Sequence, residues 1–112
     1  MTELSAEDAK LVTLARATRA RVGAPEGAAV RDENGRTYAA ATVELPSLRL
    51  TALEVCVAMA ISSGSRGLEA AVVLTQALGG AAGLAAVRDF AGNGVPVHVG
   101  DHRGTVVDTT TT

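Results

Sequence analysis

The sequence is poor in aromatic residues and in lysine. It has no tryptophan, and Tyr38 and Phe90 are its single tyrosine and its single phenylalanine. Lys10 is the only lysine, and the formal net charge is -2. Proteins that bind nucleic acids or anionic membranes attract phosphate through basic surface, and many also stack bases on aromatic rings. This composition therefore predicts neither a nucleic-acid partner nor a membrane partner.

Cysteine is nearly absent as well, because Cys56 is the only one. A single cysteine excludes a disulfide within the chain and favours a reducing compartment. The first ten residues are polar and acidic, unlike a signal peptide. The longest apolar run, "ALEVCVAMAI", is too short to cross a bilayer and contains Glu54. These features predict a cytoplasmic protein, and 112 residues predict one domain.

Hydrophobic periodicity and turn residues divide the chain into alternating elements. Ser5 is a candidate N-cap for the first helix, and Thr51 is one for the second. The predicted elements are a helix over 6–22, a hairpin over 27–44 around the turn "DENG", a connector "LPSLRL", a helix over 51–63, a strand over 68–75, a helix over 81–91, a strand–turn–strand over 95–109 and a frayed tail over 109–112. This order predicts an α/β domain of three layers.

The glycine cluster "GGAAG" after the predicted strand 68–75 is the first candidate for chemistry. Gly79, Gly80 and Gly83 come before a predicted helix, where backbone N–H groups and the helix dipole hold phosphate in some folds. The spacing differs from G-x-G-x-x-G, and no Lys-Ser/Thr pair follows. A tight entry into the helix is therefore the preferred interpretation.

The candidate nucleophile and metal ligands have ordinary interpretations too. Cys56 lies among apolar residues, which favours a core position over a reactive thiol. His98 and His102 flank a turn, and we interpret them as a partly exposed strand residue and a solvated turn residue, with a metal pair as the alternative. Glu54, in the first turn of an apolar helix, is either a partner of the helix dipole or a general acid/base in a pocket, and we favour the first.

Several short strings, taken in order, resemble the cytidine deaminases that act on free nucleosides. "PEGAAVRDENGRTYAAATVE" is similar to the family's P-V-G-A-A-L, charged turn and strand ending in C-N-V-E-N. "SLRLT" is similar to S-Y-G-L-T before the family's catalytic helix, and "GGAAGLAAVRDF" lies where the family has P-C-G-x-C-R-Q-V-L-x-E-F. "VPVHVGDHRGTVVDT" resembles the closing antiparallel hairpin. The resemblance implies a three-layer α-β-α fold with a mixed five-stranded sheet.

The resemblance also assigns residues to the family's site. Gly80 and Gly83 stand where the family has two zinc-binding cysteines, and the third ligand falls at Ala52 or Leu53. The catalytic glutamate falls at Leu53, Glu54 or Val55, so Glu54 is the only acid at hand. Glu44 matches the Glu of N-V-E-N, which resembles a ribose-hydroxyl binder, while Thr42 replaces its partner asparagine.

Because glycine offers no ligand atom, and a catalytic zinc site needs three protein ligands, the resemblance implies a member without zinc or another cofactor. Our leading hypothesis is an inactive homologue that serves as an oligomeric scaffold or partner-binding protein, a dimer or tetramer as in the family. The alternative is a nucleoside- or nucleotide-binding module that uses Glu44 and Thr42. An active deaminase with an altered site is the third hypothesis.

Overall fold

The computed structural model describes residues 4–76 and 82–112, and in these residues the chain forms three helices and seven strands. In chain order they are α1 (Ala6–Val22), β1 (Gly27–Asp32), β2 (Thr37–Ala41), β3 (Val43–Leu45), β4 (Leu48–Leu50), α2 (Ala52–Ser62), β5 (Leu68–Leu74), α3 (Leu84–Ala91), β6 (Pro96–Gly100) and β7 (Val106–Thr111). Five strands form one sheet in the order β2-β1-β5-β6-β7. Only the β5–β6 pair is parallel, so the sheet is mixed as expected.

The helices cover both faces of this sheet, which confirms the three-layer arrangement. On one face, Leu11 and Ala15 of α1 pack against small and β-branched residues of β1 and β5. On the other face, α2 and α3 bury Leu53, Cys56 and Val87 against the sheet. β5 lies in the centre and is buried on both faces from Ala70 to Leu74, which explains the apolar sequence of that part.

The two long helices begin where the sequence predicts. The Ser5 hydroxyl accepts a hydrogen bond from the Asp8 N–H, and Gly23 ends α1 in the left-handed conformation. Thr51 caps α2, and Gly64, at φ +93°, follows its last turn. α2 is apolar but has only 11 residues. No helix in the described ranges is both long enough and apolar enough to cross a membrane.

The segment predicted as a connector, "LPSLRL", is instead part of a small separate hairpin. β3 and β4 pair antiparallel, and Leu45 lies opposite Leu48. Pro46 and Ser47 form the turn between them, where the fixed φ of proline is favourable at the first central position. Pro46 is therefore compatible with a hairpin, because it lies in the turn and not in the ladder.

The predicted frayed tail is also wrong. Residues 109–111 belong to β7, which pairs along its length with β6. The Thr112 hydroxyl donates to the carbonyl of Gly92 at 2.6 Å and accepts from the N–H of Val95 at 3.1 Å. Threonine favours strands because its branched side chain fits the pleated surface, so the threonine run continues the sheet.

Candidate functional site

A cavity of about 330 Å³ opens where α1, β2 and β5 end. Its described lining residues are Arg19, Pro25, Glu26, Thr42, Glu44, Thr51, Thr75 and Gln76. A smaller cavity of about 170 Å³ is lined by Thr42, Val43, Glu44, Arg49, Leu50, Thr51 and Glu54. The two cavities share Thr42, Glu44 and Thr51, so they adjoin along one side of the molecule.

Thr42 and Glu44, the pair that the resemblance assigns to ligand binding, lie together in both cavities. Thr42 directly follows β2, and its hydroxyl accepts a hydrogen bond from the N–H of Glu26 at 3.1 Å. That bond ties the end of β2 to the start of β1. Glu44 lies on β3 opposite Arg49, and its side chain is exposed. Its carboxylate is thus available to accept hydrogen bonds from a ligand.

Glu54 acts as a helix cap in this structure. Its Oε1 accepts from the N–H of Thr51 at 2.8 Å, while the Thr51 hydroxyl accepts from the N–H of Glu54 at 3.1 Å. This reciprocal pair is a capping box, and it satisfies two N–H groups at the start of α2. The preferred interpretation of Glu54, as a partner of the helix N-terminus, agrees with this geometry.

The space beside Gly83 does not fit a zinc ligand. Gly83 has φ +101°, which side-chain-bearing residues rarely adopt. A Cβ built on it would lie 2.7 Å from Thr51 Oγ1, 3.1 Å from Leu53 Cβ and 3.4 Å from Glu54 Cγ. The start of α2 therefore fills the volume that a cysteine side chain at this position would need.

The other assigned ligand positions offer no donor either. Ala52 and Leu53 are fully buried and apolar. Gly80, the second glycine at a cysteine position, lies outside the described residues. No group of three or more His, Cys, Asp and Glu side chains that could hold a metal ion occurs in ranges 4–76 and 82–112. The described residues therefore do not fit the zinc that the resemblance assigns to the family.

Cys56 is a core residue, as expected. It is completely buried on α2, and burial raises the pKa of its thiol to about 12. Its Sγ lies 3.7 Å from the carbonyl oxygen of Tyr38, to which it donates a weak hydrogen bond. Burial and a raised pKa keep this thiol neutral near pH 7 and suit a core position rather than a reactive one.

His98 differs from its predicted environment, whereas His102 lies in a turn as predicted. His98 is buried rather than partly exposed, and its Nε2 lies 2.8 Å from Asp8 Oδ2. Its Nδ1 lies 2.8 Å from the hydroxyl of Thr109 on the neighbouring strand. His102 is half-buried, and its Nδ1 hydrogen-bonds the amide of Gln76, a residue of the larger cavity. The histidines therefore serve separate polar contacts and do not form a metal pair.

Asp8, in the first turn of α1, contacts both β1 and β6, the two strands that flank the central strand β5. Besides His98 it contacts Arg31, whose Nη2 lies 2.9 Å from Asp8 Oδ1. Burial alone would raise the pKa of Asp8, but the hydrogen bonds from His98 and Arg31 outweigh it and lower this pKa. The position of Asp8 three residues after an N-cap gives no sign of these long-range partners.

Comparison with known proteins agrees with the architecture. The family model described as "Cytidine deaminase-like" matches residues 4–104. Among solved structures, cytidine deaminase from Burkholderia pseudomallei superimposes with a TM-score of 0.76 at 21% identity, covering 96% of this chain and 93% of that one. Cytidine deaminase from Mycobacterium leprae gives 0.71 at 20% identity, covering 96% and 94%. The enzyme from Bacillus anthracis gives 0.65 at 13% identity, covering 96% and 84%.

No curated protein matches the sequence significantly. The structural similarities, all at low identity, show the fold alone. The family model spans nearly the whole chain, and the expected order of sheet, helices and closing antiparallel hairpin is present. This chain therefore belongs to the cytidine deaminase-like family.

Proposed function

We propose that this chain is a zinc-free, catalytically inactive member of its family that binds a nucleoside or nucleotide in the cavity lined by Thr42 and Glu44. The proposal rests on a difference between the space beside Gly83 and the cavity beside Glu44. The volume beside Gly83 is filled by the start of α2, whereas the cavity beside Glu44 is open. The metal-binding half of the family's site is thus altered more than the ligand-binding half.

The chemistry of deamination supports the inactive assignment. Hydrolytic deamination uses zinc to lower the pKa of a bound water, and a conserved glutamate transfers protons. Three protein ligands are needed for such a zinc, and the described residues supply no such set. Glu54, the acidic residue in the first turn of α2, accepts a hydrogen bond from the N–H of Thr51 and stabilises the start of that helix.

The open cavity supports ligand binding. Its volume of about 330 Å³ lies at the lower end of the range for small-molecule sites. A carboxylate such as that of Glu44 accepts hydrogen bonds from paired hydroxyl groups, the chemistry of a ribose diol. Thr42 is held in place by the backbone of Glu26, so this part of the wall is formed before a ligand arrives.

Thermal unfolding in the presence of cytidine and uridine tests this proposal. We expect a nucleoside to raise the melting temperature of the wild-type protein and to raise that of Glu44→Gln much less. Asp89→Asn is the matched control, since it removes one negative charge from an exposed position on α3 that lines neither cavity. The proposal fails if nucleosides leave the wild-type melting temperature unchanged, or if Glu44→Gln responds as strongly as the control.

An oligomeric scaffold is the second candidate, and exposed apolar side chains favour it. Leu45 and Leu48 at the tip of the β3–β4 hairpin are 55% and 47% exposed, and Ile61 on α2 is 52% exposed. Burying such residues between copies of the chain would remove apolar surface from water. We expect a dimer or tetramer by light scattering at micromolar concentration, and a monomer mass would exclude this role.

We also propose a cytoplasmic location, which the free thiol of Cys56 supports.

A further inference from the structure

Arg19 gives the larger cavity a cationic wall with unused hydrogen-bonding capacity. It lies in the last turn of α1 and lines the larger cavity but not the smaller one. Its Nε is buried and has no hydrogen-bond partner within the described residues. None of the ion pairs among the described residues includes Arg19. A buried donor without an acceptor is unfavourable, and the guanidinium lines the cavity without an ion-pair partner, so an anionic ligand that contacts the guanidinium would stabilise this site.

The position of Arg19 is fixed by packing of α1 against β1. A Cβ built on Gly27 would lie 2.6 Å from Arg19 Cβ and would also collide with the carbonyl of Ala15. Because Gly27 has no side chain, α1 approaches the sheet closely at this point. The stem of Arg19 is therefore held against β1 at the edge of the cavity. Less ordering is then needed when its guanidinium meets a ligand.

Two carboxylates share the cavity with Arg19. Glu26 lines only the larger cavity, whereas Glu44 lines both. Neither lies within 4.0 Å of the guanidinium, so neither neutralises it by direct contact. We propose that Arg19 binds the phosphate of a nucleoside 5′-monophosphate whose ribose hydroxyls meet Glu44, an inference that rests on the proposed function.

A phosphate is the group that this arrangement fits best. A guanidinium donates two parallel hydrogen bonds to phosphate oxygens, and charge-assisted bonds are stronger than those to a neutral hydroxyl or carbonyl. The carboxylate of Glu26 lines the same cavity and repels a bound phosphate, because both are negatively charged. Removing the charge of Glu26 should therefore strengthen phosphate binding, while removing that of Arg19 should weaken it.

Titration calorimetry with cytidine, cytidine 5′-monophosphate and inorganic phosphate tests the inference. We expect the wild-type protein to bind the monophosphate about tenfold or more tightly than cytidine, the usual size of a charge-assisted contact. Arg19→Gln should remove this preference, and Glu26→Gln should increase it. Arg21→Gln is the matched control, because Arg21 lies in the same turn of α1 but is exposed and lines neither cavity.

The outcomes separate this inference from the proposed function. Equal affinity of the wild-type protein for cytidine and its monophosphate, or an unchanged ratio in Arg19→Gln, overturns the role of Arg19 and leaves nucleoside binding intact. If neither compound binds the folded wild-type protein, both proposals fail. A third outcome is that the wild-type protein binds inorganic phosphate, that Arg19→Gln does not, and that cytidine neither binds nor changes the affinity for phosphate. Arg19 would then belong to a simple anion site, and the inference that it binds a nucleotide would be wrong.

Discussion

Gly83→Ala is expected to lower the free energy of unfolding by about 2–4 kcal/mol, since it adds backbone strain and overpacking at one position. Gly83 has φ +101°, and the new Cβ would be 2.7 Å from Thr51 Oγ1. Thr51 cannot retreat freely, because its hydroxyl accepts the N–H of Glu54 in the capping box. The substitution therefore disturbs the start of α2 as well as that of α3. Chemical denaturation measures the loss.

Gly64→Ala is the matched control for backbone strain. Gly64 has a similar φ of +93°, but a Cβ built on it meets no atom within 4 Å. Its cost should be limited to the left-handed conformation, about 1–2 kcal/mol. The excess at Gly83 measures how tightly the start of α2 fills the space beside this residue. Equal losses for the two variants would mean that this volume is open, which contradicts the description of the site.

Asp32→Ala should destabilise the protein by about 2–4 kcal/mol, because it removes a buried carboxylate that accepts three hydrogen bonds. Asp32 Oδ2 accepts from the hydroxyl of Ser65 at 2.6 Å. Its Oδ1 accepts from the N–H groups of Asn34 and Arg36, both at 2.9 Å. The residue is 0% exposed, so water cannot replace the lost acceptor without rearrangement. Denaturation at pH 7 measures this change.

The same residue should make stability depend on pH. The hydrogen bond from Ser65, which outweighs the opposing effect of burial, and those from Arg36 and Asn34 lower the pKa of Asp32 below its ordinary value of 3.8. The stabilisation is then fully present above pH 3.8 and is lost as the pH falls through the lower folded-state pKa. We expect the free energy of unfolding to decrease with acid more steeply in the wild-type protein than in Asp32→Ala.

Asp101, in the turn between β6 and β7, provides the control for Asp32. Asp101 Oδ1 accepts from the N–H groups of Arg103 and Thr105 in the same pattern, but among residues 4–76 and 82–112 it has no buried hydroxyl partner like Ser65. Asp101→Ala should therefore destabilise the protein less than Asp32→Ala. Equal losses in the free energy of unfolding for the two variants would show that the hydrogen bond from Ser65 does not stabilise the protein beyond the turn itself.

Local sequence signals predicted the elements whose stability is local. α1 and α2 follow from the N-caps Ser5 and Thr51 and from the residues that end each helix. β5 follows from its apolar sequence, which is interrupted only by Glu69. The β3–β4 hairpin was missed because a proline argues against a strand ladder, whereas Pro46 occupies the turn between the two strands. Residues 109–111 were missed because their order comes from pairing with β6, a contact that composition does not reveal.

The site was less predictable than the fold. Thr42 and Glu44 were found through resemblance to a family, since nothing in their spacing alone indicates a cavity. The environment of His98 depends on Asp8, which is 90 residues away in the chain. Arg19 reaches the cavity because α1 packs closely on Gly27, and no sequence pattern predicts that contact. Burial and pairing across the sheet decide these roles.

The zinc content of the wild-type protein, purified without chelator and then equilibrated with excess zinc and desalted, tests the central claim most directly. The geometry at Gly83, Ala52 and Leu53 predicts far less than one zinc per chain, because no described side chain there donates to a metal. One zinc retained per chain, accompanied by conversion of cytidine to uridine, would contradict the account and identify an active deaminase.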